Sequence, residues 1–171
     1  MGTNQLDFIL QNFTISINGF GQGGAGEKCS LPKIKKHLEK YRGGGMIAPR
    51  QHALGYDEFE FSCSLSSINP QVIAQSGLLV VKGVPFSVRS FLDGDNGTTH
   101  SLYLYMRGEC VEQDFGEWEA GKKAMMKLKF ALDALTLTID SATVFEIDIE
   151  AGVNTFNGTD IAALVTAAIG N

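Results

Sequence analysis

The sequence predicts a mostly β chain of antiparallel strands, with one short helix at the side and a second at the C-terminus. Three observations carry this. Apolar and polar residues alternate strictly over several short stretches, the pattern of a strand with one buried face and one wet face. Of 171 residues, 20 are Gly and only 4 are Pro, so Gly makes most turns, which suits many short strands better than a helical bundle. The apolar share is 44% against 19% charged, too apolar for a disordered chain. A chain of this length builds a core without disulfides or metal, and residues 1–171 read as one domain with no linker and no internal repeat.

The elements follow in order. Phe13, Ile15 and Ile17 alternate with Thr14, Ser16 and Asn18 and give the first strand. Gly19 to Gly26 reads as a loop. Its Gly21-x-Gly23-x-x-Gly26 has dinucleotide-fingerprint spacing, but no amphipathic helix opens at Gly26 and Pro32 follows soon after, so a loop is expected and not a nucleotide site. Over Leu31 to Tyr41 two readings stay open: Leu31, Ile34, Leu38 and Tyr41 match a helical stripe, and Pro32 speaks against it. Gly43, Gly44 and Gly45 then make a second loop. Phe59, Phe61, Cys63 and Leu65 alternate with Glu58, Glu60, Ser62 and Ser64 as a clean strand. Asn69 as N-cap, Pro70 at the first position and Gly77 past the end bound a helix over 70–76.

Pro85 to Leu92 and Ser101 to Val111 are strands with less regular faces, joined by the turn-forming Asp93-Gly94-Asp95-Asn96-Gly97. Met126, Leu128, Phe130 and Leu132 alternate with Lys127, Lys129 and Ala131. Leu135 to Ile139 and Val144 to Ile149 form a hairpin around Asp140-Ser141. Ile161, Leu164, Val165 and Ala168 recur at helical spacing behind Thr159 or Asp160 as cap. No charge follows Asp160, so this last helix is expected to dock on something apolar.

Charge and composition exclude several classes. Fourteen cations against 19 anions give a net −5, contrary to the basic face of a phosphate-binding protein. Cys29, Cys63 and Cys110 are odd in number with no CxxC, which reads as free thiols in a reducing compartment. Met1 to Leu10 shows no secretion signal, and no stretch approaches the ~20 apolar residues of a membrane span. Cytosolic synthesis and no membrane partner are expected, and the sequons at Asn12, Asn96 and Asn157 then carry no meaning.

Candidate chemistry is sparse. Asp93, Asp95 and Asn96 start like a calcium loop, but Leu104 stands where the closing Glu is needed. His37, His52 and His100 share no ligand spacing with a Cys. Cys63 lies on the apolar face of its strand, as a small core residue does. No nucleophile elbow, metalloprotease motif or P-loop is present. No catalytic, cofactor or metal residue is assigned. One constellation remains: Glu146, Asp148 and Glu150 alternate with Phe145, Ile147 and Ile149, a column of carboxylates about 6.5–7 Å apart. It reads first as solvated acidic surface, second as a repulsive or partner-attracting stripe, and last as catalytic.

Several segments together resemble a known family. They are Leu31-Pro32-Lys33-Ile34; Tyr41-Arg42-Gly43-Gly44-Gly45-Met46 with Ala48-Pro49; Met106-Arg107-Gly108; Gly116-Glu117-Trp118-Glu119-Ala120-Gly121-Lys122; Phe145-Glu146-Ile147-Asp148; and Val153-Asn154 with Asn157-Gly158 and Ile169-Gly170. In this order they resemble the major tail tube protein of contractile-tailed phages and of R-type bacteriocins, over roughly residues 12 to 170. The resemblance implies two antiparallel sheets packed as a sandwich or small barrel, and an extended Leu31–Tyr41. It implies a structural protein and no enzyme: homo-hexameric rings whose strands close an inner barrel, stacked into a tube inside a tail sheath. A tape-measure protein or DNA would occupy the lumen without specific binding. The location implied is the phage tail of the virion, after synthesis in the host cytoplasm.

The departures are a longer, Gly-richer Gly19–Gly26 loop and a C-terminal segment without the usual basic residues, closing Gly-Asn. Physical reasoning agrees with assembly. Exposed strand edges must be paired or covered, and ring closure removes them. An acidic wall also keeps DNA from sticking. Gly43, Gly44 and Gly45 are entropically costly to order, yet Met46, Ile47 and Leu54 are apolar. That combination suits a subunit or ring contact ordered only on assembly. The alternatives are the tube protein of a type VI secretion apparatus or an R-type bacteriocin tube without DNA passage, and, from another class, an enzyme using the Glu146 column.

Overall fold

The computed structural model describes residues 8–21, 23, 25–66, 68–76, 83–94, 97–163 and 167–168. In chain order these form β1 (Phe8–Ile17), β2 (Phe20–Gly21), β3 (Gly26–Ser30), β4 (Lys36–Tyr41), β5 (Arg50–Tyr56), β6 (Phe59–Leu65) and α1 (Pro70–Gln75). Then come β7 (Val84–Gly94), β8 (Thr99–Asp114), β9 (Met126–Ile139), β10 (Ala142–Asp148), β11 (Val153–Phe156) and β12 (Thr159–Asp160). Ten strands share one antiparallel sheet, and β4 and β5 pair only with each other.

The large sheet runs β12-β11-β10-β9-β8-β7-β1-β2, and β9 splits it. One edge of β9 pairs with β8 from Lys127 to Ile139. Its other edge takes β6 along Met126–Leu132 and β10 along Ala134–Ile139. β6 carries β3 in turn. Three tight turns join neighbours: Asn18-Gly19, Asp140-Ser141 and Asn157-Gly158 all have positive φ at both residues. That is the geometry of two-residue hairpins, whose twist matches the flanking strands. The hairpin expected around Asp140-Ser141 is therefore present.

This sheet is rolled. Phe61 on β6 and Phe86 on β7 are three strand steps apart, about 14 Å in a flat sheet, yet their ring centroids are 5.3 Å apart. Gly26 on β3 and Ile15 on β1 are five steps apart, and a Cβ built on Gly26 would stand 3.3 Å from Ile15 Cδ1 and from Phe13 Cε2. The two halves of one sheet thus face each other across the core, as sandwich layers do. Among the described residues the strands do not close into a barrel. The inward residues are those that alternation singles out: Ile15, Ile17, Phe59, Phe61, Cys63, Leu65, Met126, Leu128, Phe130 and Leu132 are all buried. Burial of such side chains is the main stabilising term, about 1.5–3 kcal/mol each.

Curvature needs a close approach where β8 crosses β9. The β8–β9 register shifts between Arg107 and Gly108 and again between Cys110 and Glu112. A Cβ at Gly108 would stand 2.1 Å from the Ala131 carbonyl oxygen, so only glycine lets the two backbones meet there. α1 packs on the core through Val72 and Ile73. Asn69 Oδ1 accepts the Gln71 N–H at 2.9 Å and Pro70 opens the helix, as the sequence predicts. Val72 and Ser76 are buried beneath it, and Gln113 from β8 donates to the Ser76 hydroxyl.

No residue of Leu31–Tyr41 is helical: residues 31–35 are irregular and Lys36–Tyr41 is β4. The helical stripe is misleading there; the extended reading implied by the resemblance holds over Lys36–Tyr41. Gly77, Asp95, Asn96, Leu164 and Val165 lie outside the described residues, and with the last two the middle of the expected C-terminal helix. Asp160 Oδ1 does accept the N–H groups of Ala162 at 2.8 Å and Ala163 at 3.1 Å.

Candidate assembly interface

β4 and β5 form an arm. Lys36–Tyr41 and Arg50–Gly55 are exposed, and within the two strands only Tyr56 at the base is half-buried. Cross-strand register puts Tyr41 opposite Arg50 and Glu39 opposite His52, with Lys40 opposite Gln51 and Leu38 opposite Ala53 on the other face. Each face therefore mixes charge with apolar surface. Leu38 is 50%, Leu54 59%, Tyr41 60% and Ile47 100% exposed, which a lone subunit leaves in water.

A polar clasp fixes the arm's base. Lys35 Nζ stands 2.8 Å from Asp57 Oδ2 and His37 Nδ1 2.9 Å from Asp57 Oδ1. The Asp57 N–H also donates to the Lys35 carbonyl at 2.8 Å. The Lys35 hydrogen bond, then that of His37, holds the Asp57 carboxyl below the usual carboxylate range. Beyond the base, the Tyr56 hydroxyl meets the Asn154 amide of β11.

At the tip, Gly43, Gly44, Gly45 and Met46 come together. Met46 N–H donates to the Gly43 carbonyl at 3.3 Å, and Gly43 N–H points to Met46 Sδ at 3.2 Å. Gly45 has φ +83°. Met46 is thus folded back and half-buried, while Ile47 projects fully. Leu54 sits apart from this group on β5, on the Arg50 and His52 face by strand alternation. Between arm and body runs a groove of about 1040 Å³ whose apolar lining includes Ile34, Ala53, Ile149, Phe156 and Ile161.

The acidic column is uneven. Glu146 is exposed on β10 opposite Thr136 and Thr155. Asp148 ends the strand, and Glu150 lies in the turn beyond it. Arg107 Nη2 bridges the last two, 3.2 Å from Asp148 Oδ2 and 3.1 Å from Glu150 Oε2. Asp148 Oδ1 also accepts the Ala151 N–H at 2.9 Å, ending the strand in a turn. For this reason Ile149, expected to face inward beside Phe145 and Ile147, is 59% exposed.

Sequence reasoning misses other surface. Phe8, Ile9, Leu10 and Phe91 lie exposed where β1 and β7 extend past the core. Trp118 is 73% exposed in the loop between β8 and β9, its indole N–H donating to the Phe115 carbonyl at 3.0 Å. The signal available was a lone Trp in a glycine-flanked loop. Burial pushes the Cys63 thiol up to about 12, with Cys29 and Cys110 adding to it, so the thiol stays protonated and inert. Among the described residues no group of three His, Cys, Asp or Glu is placed to hold a metal, and no helix is long and apolar enough to cross a membrane.

The chain matches the profile of phage tail tube protein FII over residues 7–170. It is 30% identical to the tail tube protein of Escherichia phage P2 over 158 residues, covering 88% of this chain and 90% of that one. It is 25% identical to the major tail tube protein of Serratia phage KSP20 over 142 residues, 82% of each. Its fold is similar to a chain of the sheath/tube terminator of an extracellular contractile injection system, with TM-score 0.59 at 12% identity over 80% of this chain and 99% of that one. A chain of the sheath–tube complex of such a system gives TM-score 0.54 at 12% identity over 74% and 87%. The family profile spans almost the entire sequence, and the chain belongs to the phage tail tube protein FII family.

Proposed function

We propose that residues 1–171 act as a single tail-tube domain, six copies of which form a ring, and that rings stack into the inner tube of a contractile phage tail. The tube is a conduit for DNA ejection. Its outer wall meets the tail sheath protein, and its lumen holds a tape-measure protein or DNA without specific binding. The subunit has no enzymatic role, is made in the host cytoplasm and ends in the virion. The observation that carries this is the arm: a hairpin that the subunit's own core does not cover, bearing Leu38, Tyr41, Ile47 and Leu54 in water. A two-stranded hairpin alone is marginally stable, so a neighbour in the ring or stack is the natural cover. Gly43, Gly44, Gly45, Met46, Ile47 and Leu54 are assigned to that contact, and Glu146, Asp148 and Glu150 to acidic surface. A tube of the same fold that passes no DNA, as in a type VI apparatus or an R-type bacteriocin, is the second reading; the likeness to contractile injection systems shows that this fold occurs there.

Negative-stain microscopy of purified protein at high concentration and low salt tests assembly, with rings or tubes expected. A species that stays strictly monomeric by light scattering under those conditions overturns it. Amide exchange over Arg42 to Tyr56 tests the arm. Fast exchange in the monomer and strong protection in the assembly are expected, and equal protection in both removes the arm from the contact.

A further inference from the structure

The chain's charge is divided between arm and body. Residues 33–52 hold Lys33, Lys35, Lys36, Lys40, Arg42 and Arg50 against Glu39 alone, a net +5. Since the whole chain is −5, the remaining residues carry −10. Among the described residues, only Lys35 of the six cations is ion-paired, to Asp57 at the base. Among the described residues β4 pairs with β5 and with no strand of the body, and its residues are exposed. Six strand residues carry Arg42 and Arg50 about 20 Å from the base.

A complementary face exists on the wet side of the roll. Cross-strand register sets Glu60, Ala131 and Glu109 in one row, Ser62, Lys129 and Glu112 in the next, and Ser64, Lys127 and Asp114 in the third. Glu58 precedes Glu60 at the start of β6. Glu58, Glu60, Glu109 and Glu112 are all exposed. Lys129 bonds Glu60 at 2.7 Å, and the same copy's Lys33 and Lys35 line the hollow that holds Glu58 and Glu60, so the carboxylates left to a second copy are Glu109, Glu112 and Asp114 beside Lys127. This face measures about 10 Å across three strands and about 14 Å along them, which is the span from Lys36 to Lys40 on β4.

We propose that the basic arm of one copy seats on this carboxylate face of β6, β9 and β8 in a second copy. The proposal rests on the reading of the arm as a contact between copies and adds its partner surface and its electrostatic character. Nucleic acid is the less favoured occupant of the arm, because a body at −10 repels phosphate. The apolar residues supply the contact area, and the charges select which face is met and speed the encounter.

The test measures assembly by sedimentation and light scattering. Screening shortens the reach of charge from about 10 Å at 0.1 M salt to about 3 Å at 1 M. The concentration needed for assembly is therefore expected to rise about tenfold between about 0.05 and 0.5 M NaCl. Lys36→Glu with Lys40→Glu is expected to block assembly, as is Glu109→Lys with Glu112→Lys, and the four together are expected to restore it. Salt-independent assembly, native-like assembly of either pair, or a quadruple variant no better than its parents overturns the proposal. So does an arm variant that loses only DNA retention in a gel shift. Carbodiimide cross-linking of mixed ¹⁴N- and ¹⁵N-labelled native protein needs no variant to fold. Links between copies joining Lys36 or Lys40 to Glu109 or Glu112 are expected, and links confined within one copy, or joining other surfaces, overturn it. If Ile47→Asp and Leu54→Asp block assembly while the charge variants do not, the arm contact stands and its electrostatic seat falls. If all assemble like native protein, both fall.

Discussion

Strands β5 and β6 are neighbours in sequence, separated by Asp57 and Glu58 and equal at 7 residues, and they end in opposite environments. In β6, Phe59, Phe61, Cys63 and Leu65 all turn inward to an exposure of 3% or less. In β5, Arg50 to Gly55 are exposed on both faces. The cause is the order of side chains. β6 alternates, so one face supplies its own burial and its pairing with β9 comes with that. β5 reads Arg-Gln-His-Ala-Leu-Gly-Tyr, where no face gathers apolar residues, and only the hairpin with β4 keeps it extended. The body is held by its interior, and the arm is held by hydrogen bonds, its base clasp and whatever covers it.

The largest effects should therefore come from the body. Phe130 is fully buried and its ring centroid lies 4.5 Å from that of Phe86. Phe130→Ala is expected to cost about 3–5 kcal/mol. Ile47→Ala, at full exposure, is expected to stay within about 0.5 kcal/mol of native stability. Urea unfolding of the monomer measures both. Comparable losses at the two positions break the division between body and arm.

Glycine sharpens the same contrast. Gly108→Ala drives a Cβ against the Ala131 carbonyl oxygen at 2.1 Å and the Leu132 Cα at 2.9 Å, both backbone. The expected cost is about 1–3 kcal/mol, with the β8–β9 crossing displaced. Gly44→Ala meets nothing within 4 Å, and stability is expected to be unchanged or raised by about 0.5 kcal/mol. Thermal unfolding of the two variants decides it; a Gly108→Ala protein as stable as native would show that the crossing relaxes freely.

Legibility in the sequence follows the same boundary. Alternation found β1, β6 and β9 because their inward faces are continuous, and Asn69-Pro70 announced α1 through local capping chemistry. β4 was ambiguous because its side chains meet no core: Leu38 and Tyr41 fit helical spacing yet lie on opposite faces of a hairpin. The carboxylate column was legible as a pattern but not as a site. Arg107, which joins Asp148 to Glu150, is 41 residues from the first and 43 from the second, and no local signal announces a partner so distant. The end of β10 has a local cause instead: the Asp148 side chain accepts the Ala151 N–H and turns the chain, which alternation over Val144 to Ile149 does not reveal.

The smallest expected effect lies at the junction of the two regions. The Asp57 carboxyl is held below its ordinary value in the folded chain, first by Lys35 and then by His37. A depressed carboxyl pKa means that the clasp's contribution is fully present above the unfolded value, about 3.9. It is lost as pH falls through the lower folded value. Asp57 is half-buried but its partner Lys35 is 77% exposed, so solvent screens the pair and global stability should hardly move. The arm's attachment should register it instead. In an NMR titration the Asp57 carboxyl should titrate below about 3.9, and Lys35→Ala should raise its midpoint more than His37→Ala does. Exchange at the Asp57 amide, which donates to the Lys35 carbonyl, should quicken relative to its intrinsic rate over that pH range, while the β6 amides stay protected. A midpoint at the ordinary value, or one indifferent to Lys35→Ala, would mean that the arm is tied down by β-pairing alone and that Asp57 does not distinguish it from the body.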